Sequence, residues 1–260
     1  MNPDMLTPFG LKIRMPSRRE DQLPSLASVL QLVRHHRVVL IRGVDPLSRE
    51  RLIHYCKGSN PHSDPFLHWD FGPVMELQAS ADPKNYLFSR EAVPFHWDGA
   101  FHRVPSILVF NCIAEPATDS GGETLFCDTT RLWNQTPPLL RSSFSKIKLT
   151  YRTERLAHYG GEVTVPLVNK HPHDGTPVLR FAEEVKTTLN PVSLNISGVS
   201  PREAFETLDY LTTHIYQKDF CLEHQWQRGD LLFADNHALI HGRRAFLQNS
   251  PRHIRRVQLL

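Results

Sequence analysis

The sequence lacks the features that mark several protein classes. Its 260 residues include only four cysteines, far apart and without a C-x-x-C pair, which excludes a disulfide-built miniprotein and favours buried, reduced thiols. Long apolar runs are missing: Val38–Ile41 and Ile107–Phe110 are far too short to span a membrane. The first residues contain no apolar signal segment. We therefore expect a cytoplasmic protein with no membrane partner.

An excess of charge of one sign is also missing. Thirty Lys and Arg residues against 27 Asp and Glu residues leave a net charge of +3, too small a bias to indicate a nucleic-acid or membrane partner. The chain is 40% hydrophobic and long enough to bury a core without a metal or disulfide. Histidine, in contrast, is abundant: there are 15, and imidazole is the commonest metal ligand.

Short strands separated by turn residues dominate the chain after Gly72, and few helices are indicated. Leu26–Arg34 and Leu47–Cys56 have helical patterns, and Ser200-Pro201-Arg202-Glu203 is a capping box that begins a late helix. Strands are predicted at 38–43, 73–79, 106–113, 123–128, 146–152, 176–182, 230–235 and 253–259.

This order of elements favours one fold class. Helices do not alternate regularly with strands, as a parallel α/β fold would require. We expect a mainly β protein with flanking helices (α+β) and a double-stranded β-helix, or jelly-roll, core. A single domain is expected over 1–260, in which residues 1–70 form a helical and strand extension packed on the jelly roll.

One histidine–carboxylate pair carries most of the chemical information. His96 and Asp98 lie two residues apart, and on an extended chain such residues project from the same face. A third ligand must come from elsewhere, and His241 is the candidate. Two histidines and one carboxylate on one face of a metal form the facial triad of non-haem Fe(II) oxygenases.

Other histidines compete for this role. A second H-x-D motif, HWD (68–70), lies in a loop between Pro65 and Gly72. His237 precedes His241 by four residues and would share its face in a strand. HPHD (171–174) precedes a glycine turn and is expected to be a solvated loop.

The last predicted strand is rich in arginine. Arg252, Ile254 and Arg256 face one way, and His253 and Arg255 face the other. An inward arginine is costly unless a carboxylate meets it, so an inward Arg252 predicts a bound dicarboxylate. The alternative is that these arginines form a solvated edge or a phosphate-binding patch.

Four segments in this order resemble the TauD/TfdA superfamily of Fe(II)/2-oxoglutarate-dependent dioxygenases. They are FHWDGAF (95–101), GGETLFCDT (121–129), WQRGDLLFADNHALIHGR (226–243) and RHIRRVQL (252–259). FGPVMEL (71–77) and HWDGAFHRVPSILVFNC (96–112) are most similar to the isonitrile-processing, PvcB-like members. Trp97 stands where the family often has a small residue, which is tolerable because the middle residue of H-x-D points away from the metal.

The resemblance implies cofactors and roles. It implies Fe(II), with 2-oxoglutarate and O2 as co-substrates, and His96, Asp98 and His241 as the iron ligands. Arg252 and Thr124 correspond to the residues that bind the distal carboxylate of 2-oxoglutarate.

Substrate-binding residues are also expected. Arg256 matches the position that holds an acidic group of the substrate in several members, and Arg255 offers the same planar fork. His102 is expected either to line the pocket or to be structural. Asp235 and Asn236 are candidates to fix the orientations of the imidazoles, or they terminate a strand. Four aromatic residues either line a substrate pocket or form core: Phe95, Phe101, Tyr159 and Trp226.

The expected activity is therefore oxidation, by hydroxylation or desaturation, of a small amino-acid-derived acid. The sharper hypothesis is an isonitrile derived from tyrosine or tryptophan. The alternatives are oxidation of a taurine-type sulfonate or another small acid, a metal-binding jelly roll without turnover, and nucleic-acid binding through RHIRR (252–256), against which the small net charge argues.

Overall fold

The computed structural model describes residues 2–16, 22–60, 62–156, 159–248 and 250–260. Within them the helices are α1 (Leu26–His36), α2 (Arg49–Lys57), α3 (Thr129–Gln135), α4 (Pro138–Phe144) and α5 (Pro201–His214). The strands are β1 (Asn2–Met5), β2 (Leu11–Arg14), β3 (Val38–Arg42), β4 (Val74–Gln78), β5 (Val93–His96), β6 (Ile107–Ala114), β7 (Thr124–Asp128), β8 (Lys148–Leu156), β9 (Tyr159–Pro166), β10 (Val168–Lys170), β11 (Pro177–Leu179), β12 (Ser193–Ser197), β13 (Cys221–His224), β14 (Leu231–Asp235), β15 (Leu239–Arg243) and β16 (His253–Leu259).

Two sheets form the centre of the molecule. The major sheet has the order β1-β2-β3-β14-β6-β16-β4, and the minor sheet has the order β13-β7-β15-β5. Apolar side chains from both sheets, including Phe110, Phe126 and Leu232, pack into one buried cluster. This arrangement confirms the predicted mainly β fold with a jelly-roll core. Residues 1–70, expected as an extension, supply β1–β3 to the major sheet.

The alternation of β3 explains why its sequence is apolar throughout. Val38 and Leu40 point into the cluster between the sheets, whereas Val39 and Ile41 point outward. The outward residues pack with Val29 and other residues of α1 and α2 in a second apolar cluster. Both faces of the strand are therefore buried, which the VVLI run predicted.

The outer face of the minor sheet is covered by a third layer. It contains the β12-β8-β9 sheet and helices α3–α5, and its apolar cluster includes Phe144, Leu211 and Ile215. Helix α5 begins as predicted: the Ser200 hydroxyl accepts from Glu203 N, and the Glu203 carboxylate accepts from Ser200 N. The capping box therefore fixes where this helix starts.

Several predicted bounds were wrong in detail. Helix α2 begins at Arg49 rather than Leu47, because Ser48 caps its N-terminus. The segment predicted at 176–182 pairs only over Pro177–Leu179, and β8 continues to Leu156. The list of predicted elements lacks strands β1, β2, β5, β9, β10, β12, β13 and β15 and helices α3 and α4. Among the described residues, no helix has the length and apolar character needed to cross a membrane.

We predict that Ser200→Ala lowers the free energy of unfolding by about 1 kcal/mol, because the first turn of α5 loses its side-chain acceptor. Chemical denaturation measures this change. Thr213→Ala, at an exposed position of the same helix, is the control and should change stability much less. Equal losses in the two variants would contradict the structural role of the cap.

Candidate active site

Strand pairing brings two distant histidines together. β15 lies between β7 and β5 in the minor sheet, and the register places His241 directly opposite His96. Their ring centroids are 4.3 Å apart. Asp98 follows β5 by two residues, at the start of a turn. The sheet register, rather than proximity in the chain, therefore assembles these three side chains.

The three side chains present their donor atoms to one point. Asp98 Oδ1 lies 3.6 Å from His96 Nε2 and 3.7 Å from His241 Nε2. One donor atom from each residue lies within 4.8 Å of the others. In a metal site, two ligand atoms that each lie about 2.1 Å from the ion, at right angles to each other, are about 3 Å apart. The cluster thus fits a metal ion after a small contraction, and its two imidazoles and one carboxylate suit Fe(II).

Protonation of the histidines also suits a metal. His96 Nδ1 lies 2.9 Å from the Pro94 carbonyl oxygen, to which it can only donate, so Nε2 keeps its lone pair for the site. Burial, with the nearby His96 ring, holds the pKa of His241 well below its usual value. His241 is therefore neutral, which is the form that binds metals.

Asp98 is held as a carboxylate in a buried place. Burial opposes its charge, but the adjacent Arg256 guanidinium outweighs burial, and the pKa of Asp98 lies below the usual range. Arg256 Nη1 is 2.9 Å from Oδ2 and 3.1 Å from Oδ1. Gln258 Nε2 donates to Oδ2 at 2.5 Å. Gln258 thus occupies Oδ2, Arg256 spans both oxygens and donates its hydrogen bond to Oδ1, and Oδ1 also faces the two histidines.

Asn236 holds the backbone of Asp98. Its Oδ1 accepts from Asp98 N at 3.0 Å, and its Nδ2 donates to the carbonyl oxygens of Asp98 at 3.1 Å and Pro105 at 2.8 Å. It therefore fixes the turn that carries Asp98, whereas the role expected for it was to orient the imidazoles.

Asp235 serves a different purpose. Its carboxylate accepts from Arg37 at 2.9 Å and lies 3.0 Å from His171 Nε2. These contacts join the end of β14 to α1 and to the 171–174 loop, away from the triad. His171 is buried, so the expectation that HPHD (171–174) is wholly solvated was wrong for its first residue.

A narrow cavity of about 40 Å³ leads from the histidines to Arg252. Arg252 is buried, and its Nε donates to Gly122 O at 2.8 Å. Burial, with the charge of nearby Arg243, lowers the pKa of Arg252 to about 9. No carboxylate in the described part of the chain forms an ion pair with this guanidinium. A cation with no charged protein partner at the end of a cavity fits an anionic ligand.

Thr124 lies beside Arg252 at the start of β7. Its hydroxyl oxygen accepts from Trp226 Nε1 at 2.9 Å and lies 3.5 Å from Arg252 Nη2. Both contacts use the oxygen as an acceptor, so the hydroxyl proton is left to donate into the cavity. The preceding Gly121 and Gly122 have φ values of +76° and +89°, and a Cβ on Gly122 would lie 2.9 Å from Arg252 Cδ. The glycine pair thus permits this close approach.

A larger cavity of about 220 Å³ borders His96 and Asp98 on the other side. Its largest wall residues bear rings, and most of these rings come from segments outside the two sheets. Ring-bearing wall residues are Trp69, Phe71, Tyr86, Phe88, Trp97, Phe101, His102 and Tyr151. Such a lining favours a flat apolar ligand with its polar end near the triad.

The arginines of β16 alternate as expected. Arg256 is buried and borders both cavities, and its Nε has no partner among the described residues. Arg255 lies on the other face, where its Nε donates to Glu76 and its Nη1 donates to Leu47 O at 2.7 Å. It borders neither cavity. This corrects the expectation for Arg255: the strand alternation turns it away from any ligand near the triad.

The remaining candidates separate clearly. His102 borders the large cavity, with its ring centroid 6.3 Å from that of Trp69. His237 lies outside the triad, with its Nδ1 2.7 Å from Arg180 Nη2. His68 is exposed and pairs with Asp64, so the second H-x-D motif does not join the cluster.

Three of the four aromatic candidates can be placed. Phe101 borders the large cavity, Phe95 is core, and Trp226 supports Thr124. The side chain of Tyr159 lies outside the described part of the structure.

Sequence reasoning missed two residues that shape the site. Gln258 shares the even-numbered face of β16 with Arg252 and Arg256, so alternation alone could have identified it. Arg243 donates to the carbonyl oxygens of Leu87 at 2.9 Å and Ser89 at 2.8 Å, and so ties the 87–91 segment to β15. The sequence does not indicate its partners, because every residue has a backbone carbonyl oxygen and the residue type does not show which one accepts.

Comparison with known proteins gives consistent results. The sequence profile described as taurine catabolism dioxygenase TauD, TfdA family matches residues 6–258. The 3-((Z)-2-isocyanoethenyl)-1H-indole synthase of Fischerella ambigua is 42% identical, over 98% of this chain and 94% of that protein. The tyrosine isonitrile desaturase of Pseudomonas aeruginosa is 32% identical, over 96% and 87% respectively.

Solved structures show the same likeness. The crystal structure of PvcB from Pseudomonas aeruginosa superposes with a TM-score of 0.80 at 29% identity, covering 96% of this chain and 86% of that one. A second structure of PvcB, described as an Fe, alpha-ketoglutarate dependent oxygenase from an isonitrile synthetic pathway, gives a TM-score of 0.78 at the same identity and coverage.

We predict that His241→Ala and Asp98→Ala each weaken Fe(II) binding by more than about 100-fold. Removing a residue that only supports a metal ligand weakens binding by about 10- to 100-fold, and removing the ligand itself should cost more. Anaerobic titration of the metal-free protein measures this. His68→Ala is the matched control and should bind as the parent does. Unchanged affinity in the Asp98 variant would refute the assignment of this cluster as the metal site.

Proposed function

The chain belongs to the taurine catabolism dioxygenase TauD, TfdA family and is an iron- and 2-oxoglutarate-dependent oxygenase, and we propose that it oxidises an aromatic isonitrile acid derived from an amino acid. The observation that carries the proposal is the aromatic cavity beside the triad. Two relatives that cover nearly all of this chain bear names of isonitrile chemistry.

Each group of residues then has a part in the reaction. Bound Fe(II), with 2-oxoglutarate and O2, supplies a two-electron oxidation of a C–H site while 2-oxoglutarate becomes succinate and CO2. In this proposal His96, Asp98 and His241 hold the iron. Arg252 and the Thr124 hydroxyl bind the distal carboxylate of 2-oxoglutarate, supported by their places at the end of the narrow cavity.

Substrate binding uses the larger cavity. Its aromatic walls hold the ring, and Arg256 borders the cavity next to the triad, where its guanidinium can pair with an acidic group of the substrate. The Arg256 charge also serves Asp98, so the same guanidinium would orient a metal ligand and the substrate. His102, at the cavity wall, is the second polar contact we propose.

An indole ring is the aromatic group we propose. The relative named as an isocyanoethenyl-indole synthase is 42% identical, against 32% for the tyrosine isonitrile desaturase. A taurine-type sulfonate is favoured less, because a small polar acid would leave the aromatic walls of this cavity unfilled. The four cysteines are free thiols, which supports a reducing compartment, and we place the protein in the cytoplasm.

The test is turnover with chosen acids. We expect the tryptophan-derived isonitrile acid to give succinate and an oxidised product with Fe(II), 2-oxoglutarate and O2, more efficiently than the tyrosine analogue. Taurine is the negative control, and Asp98→Ala should give no product. Mass spectrometry under ¹⁸O2 identifies the outcome: hydroxylation adds one labelled oxygen, and desaturation adds none. Turnover of taurine alone would overturn the substrate proposal.

We predict that Arg252→Leu raises the KM for 2-oxoglutarate at least about 30-fold, because removing one partner of a buried charge pair costs about 2 kcal/mol or more. Succinate formation at varied 2-oxoglutarate measures this. Arg244→Leu is the control, since Arg244 is an exposed residue paired with Glu223. A KM that stays at the parent value would contradict the role of Arg252.

A further inference from the structure

The loop motif HWD (68–70) does not bind the metal, but its tryptophan contacts the site indirectly. Trp69 Nε1 donates to Gln258 Oε1 at 2.8 Å. Gln258 Nε2 donates to Asp98 Oδ2 at 2.5 Å. We propose that Trp69 is a positioning residue that acts through Gln258 to fix the metal-binding orientation of the Asp98 carboxylate; this rests on the proposed metal site.

The chemistry of the indole makes this chain of hydrogen bonds directional. An indole N–H can only donate, so it must meet the oxygen end of the Gln258 amide. The NH2 end then faces Asp98, and the carboxylate can only accept. A reversed amide would place two acceptors together at Asp98 and leave the indole N–H facing a donor. Trp69 and Asp98 therefore select the same orientation of Gln258 from opposite ends.

Burial makes the middle of this chain costly to disturb. Gln258 is 3% exposed, so its amide oxygen has no ready access to water. Without the indole N–H, that oxygen becomes an unsatisfied buried acceptor, or the amide turns to seek another donor. Either result weakens the hold on Asp98 Oδ2. Arg256 alone would then hold the carboxylate, and Oδ1 would be less firmly directed toward His96 and His241.

The backbone around Trp69 is built to keep the indole in place. Leu67 N donates to Gln258 O at 2.9 Å, which docks the segment before Trp69 on β16. Trp69 and Gly72 exchange two backbone hydrogen bonds, of 2.8 and 3.2 Å, across a tight turn. The ring stacks on Phe71 with an interplanar angle of 17°. The loop thus presents the indole N–H to a fixed point on the strand.

The same side chain is part of the substrate cavity. Trp69 lines the aromatic wall, whereas Gln258 borders the cavity at its base beside Asp98. Only the side chain of Gln258 therefore lies between Trp69, in the cavity wall, and Asp98, the proposed metal ligand. This distinguishes Trp69 from Phe71 and Phe88, whose rings carry no hydrogen-bond donor to pass on.

Trp69→Phe tests the proposal, because it keeps an aromatic ring and removes the N–H. Mn(II) titrated into the metal-free protein gives the affinity without turnover. We expect about a tenfold weaker Kd in Trp69→Phe and in Gln258→Leu, the low end of the cost of losing an outer partner. Trp133→Phe is the matched control, on α3 against Arg141, and should leave the Kd unchanged.

A double variant separates positioning from general destabilisation. Because the two residues act in series, Trp69→Phe with Gln258→Leu should bind Mn(II) no more weakly than Gln258→Leu alone. Trp69→Phe should also lower the melting temperature of the metal-free protein no more than the control Trp133→Phe does.

Three outcomes would overturn the proposal. They are parent-like affinity in Trp69→Phe, additive losses in the double variant, and a loss matched by Trp133→Phe. Failure of the unmodified protein to bind Mn(II) or Fe(II) would instead remove the metal site itself, and with it both this inference and the proposed function.

Discussion

The buried ion pair between Asp98 and Arg256 is the interaction on which the site depends. Burying a carboxylate away from water costs several kcal/mol of desolvation free energy unless an oppositely charged partner compensates this cost. Arg256 supplies the compensating charge, Gln258 a further donor and Asn236 a fixed backbone. Because these three residues hold both the carboxylate and the backbone of Asp98, Oδ1 is kept facing the two histidines. The negative charge the metal requires is thus prepared by the protein before any ion arrives.

Strand pairing in the jelly roll brings together residues that are far apart in the sequence. β5 and β15 are neighbours in the minor sheet although many elements separate them in the chain. β16 of the major sheet carries Arg256 and Gln258 on one face, and Arg252 directly precedes this strand. The two sheets therefore divide the site: one supplies the histidines, and the other supplies the cations. The narrow cavity between them ends at Arg252, and the wide one opens toward the loops.

Much of this arrangement was predictable from local patterns, and part of it was not. The H-x-D spacing, the capping box before α5 and the alternation of β16 each rest on residues close in sequence. Pairing of His241 with His96 rests on tertiary register, which periodicity does not indicate; the resemblance implied only that both histidines bind the iron. Arg255 could not be separated from Arg256 by side-chain chemistry alone. Only the direction of the strand, which leads Arg255 to Glu76, distinguishes the two.

The origin of the aromatic walls has a consequence for how such an enzyme can diversify. Most rings of the large cavity stand on loops, whereas the histidines and Arg252 belong to, or directly precede, sheet strands. Loops accept substitution more readily than paired strands do. Substitution of the wall residues can therefore change which acid the cavity binds and leave the residues around the metal site unaltered. Position 69 is the exception, since its indole is bonded to the strand beneath it.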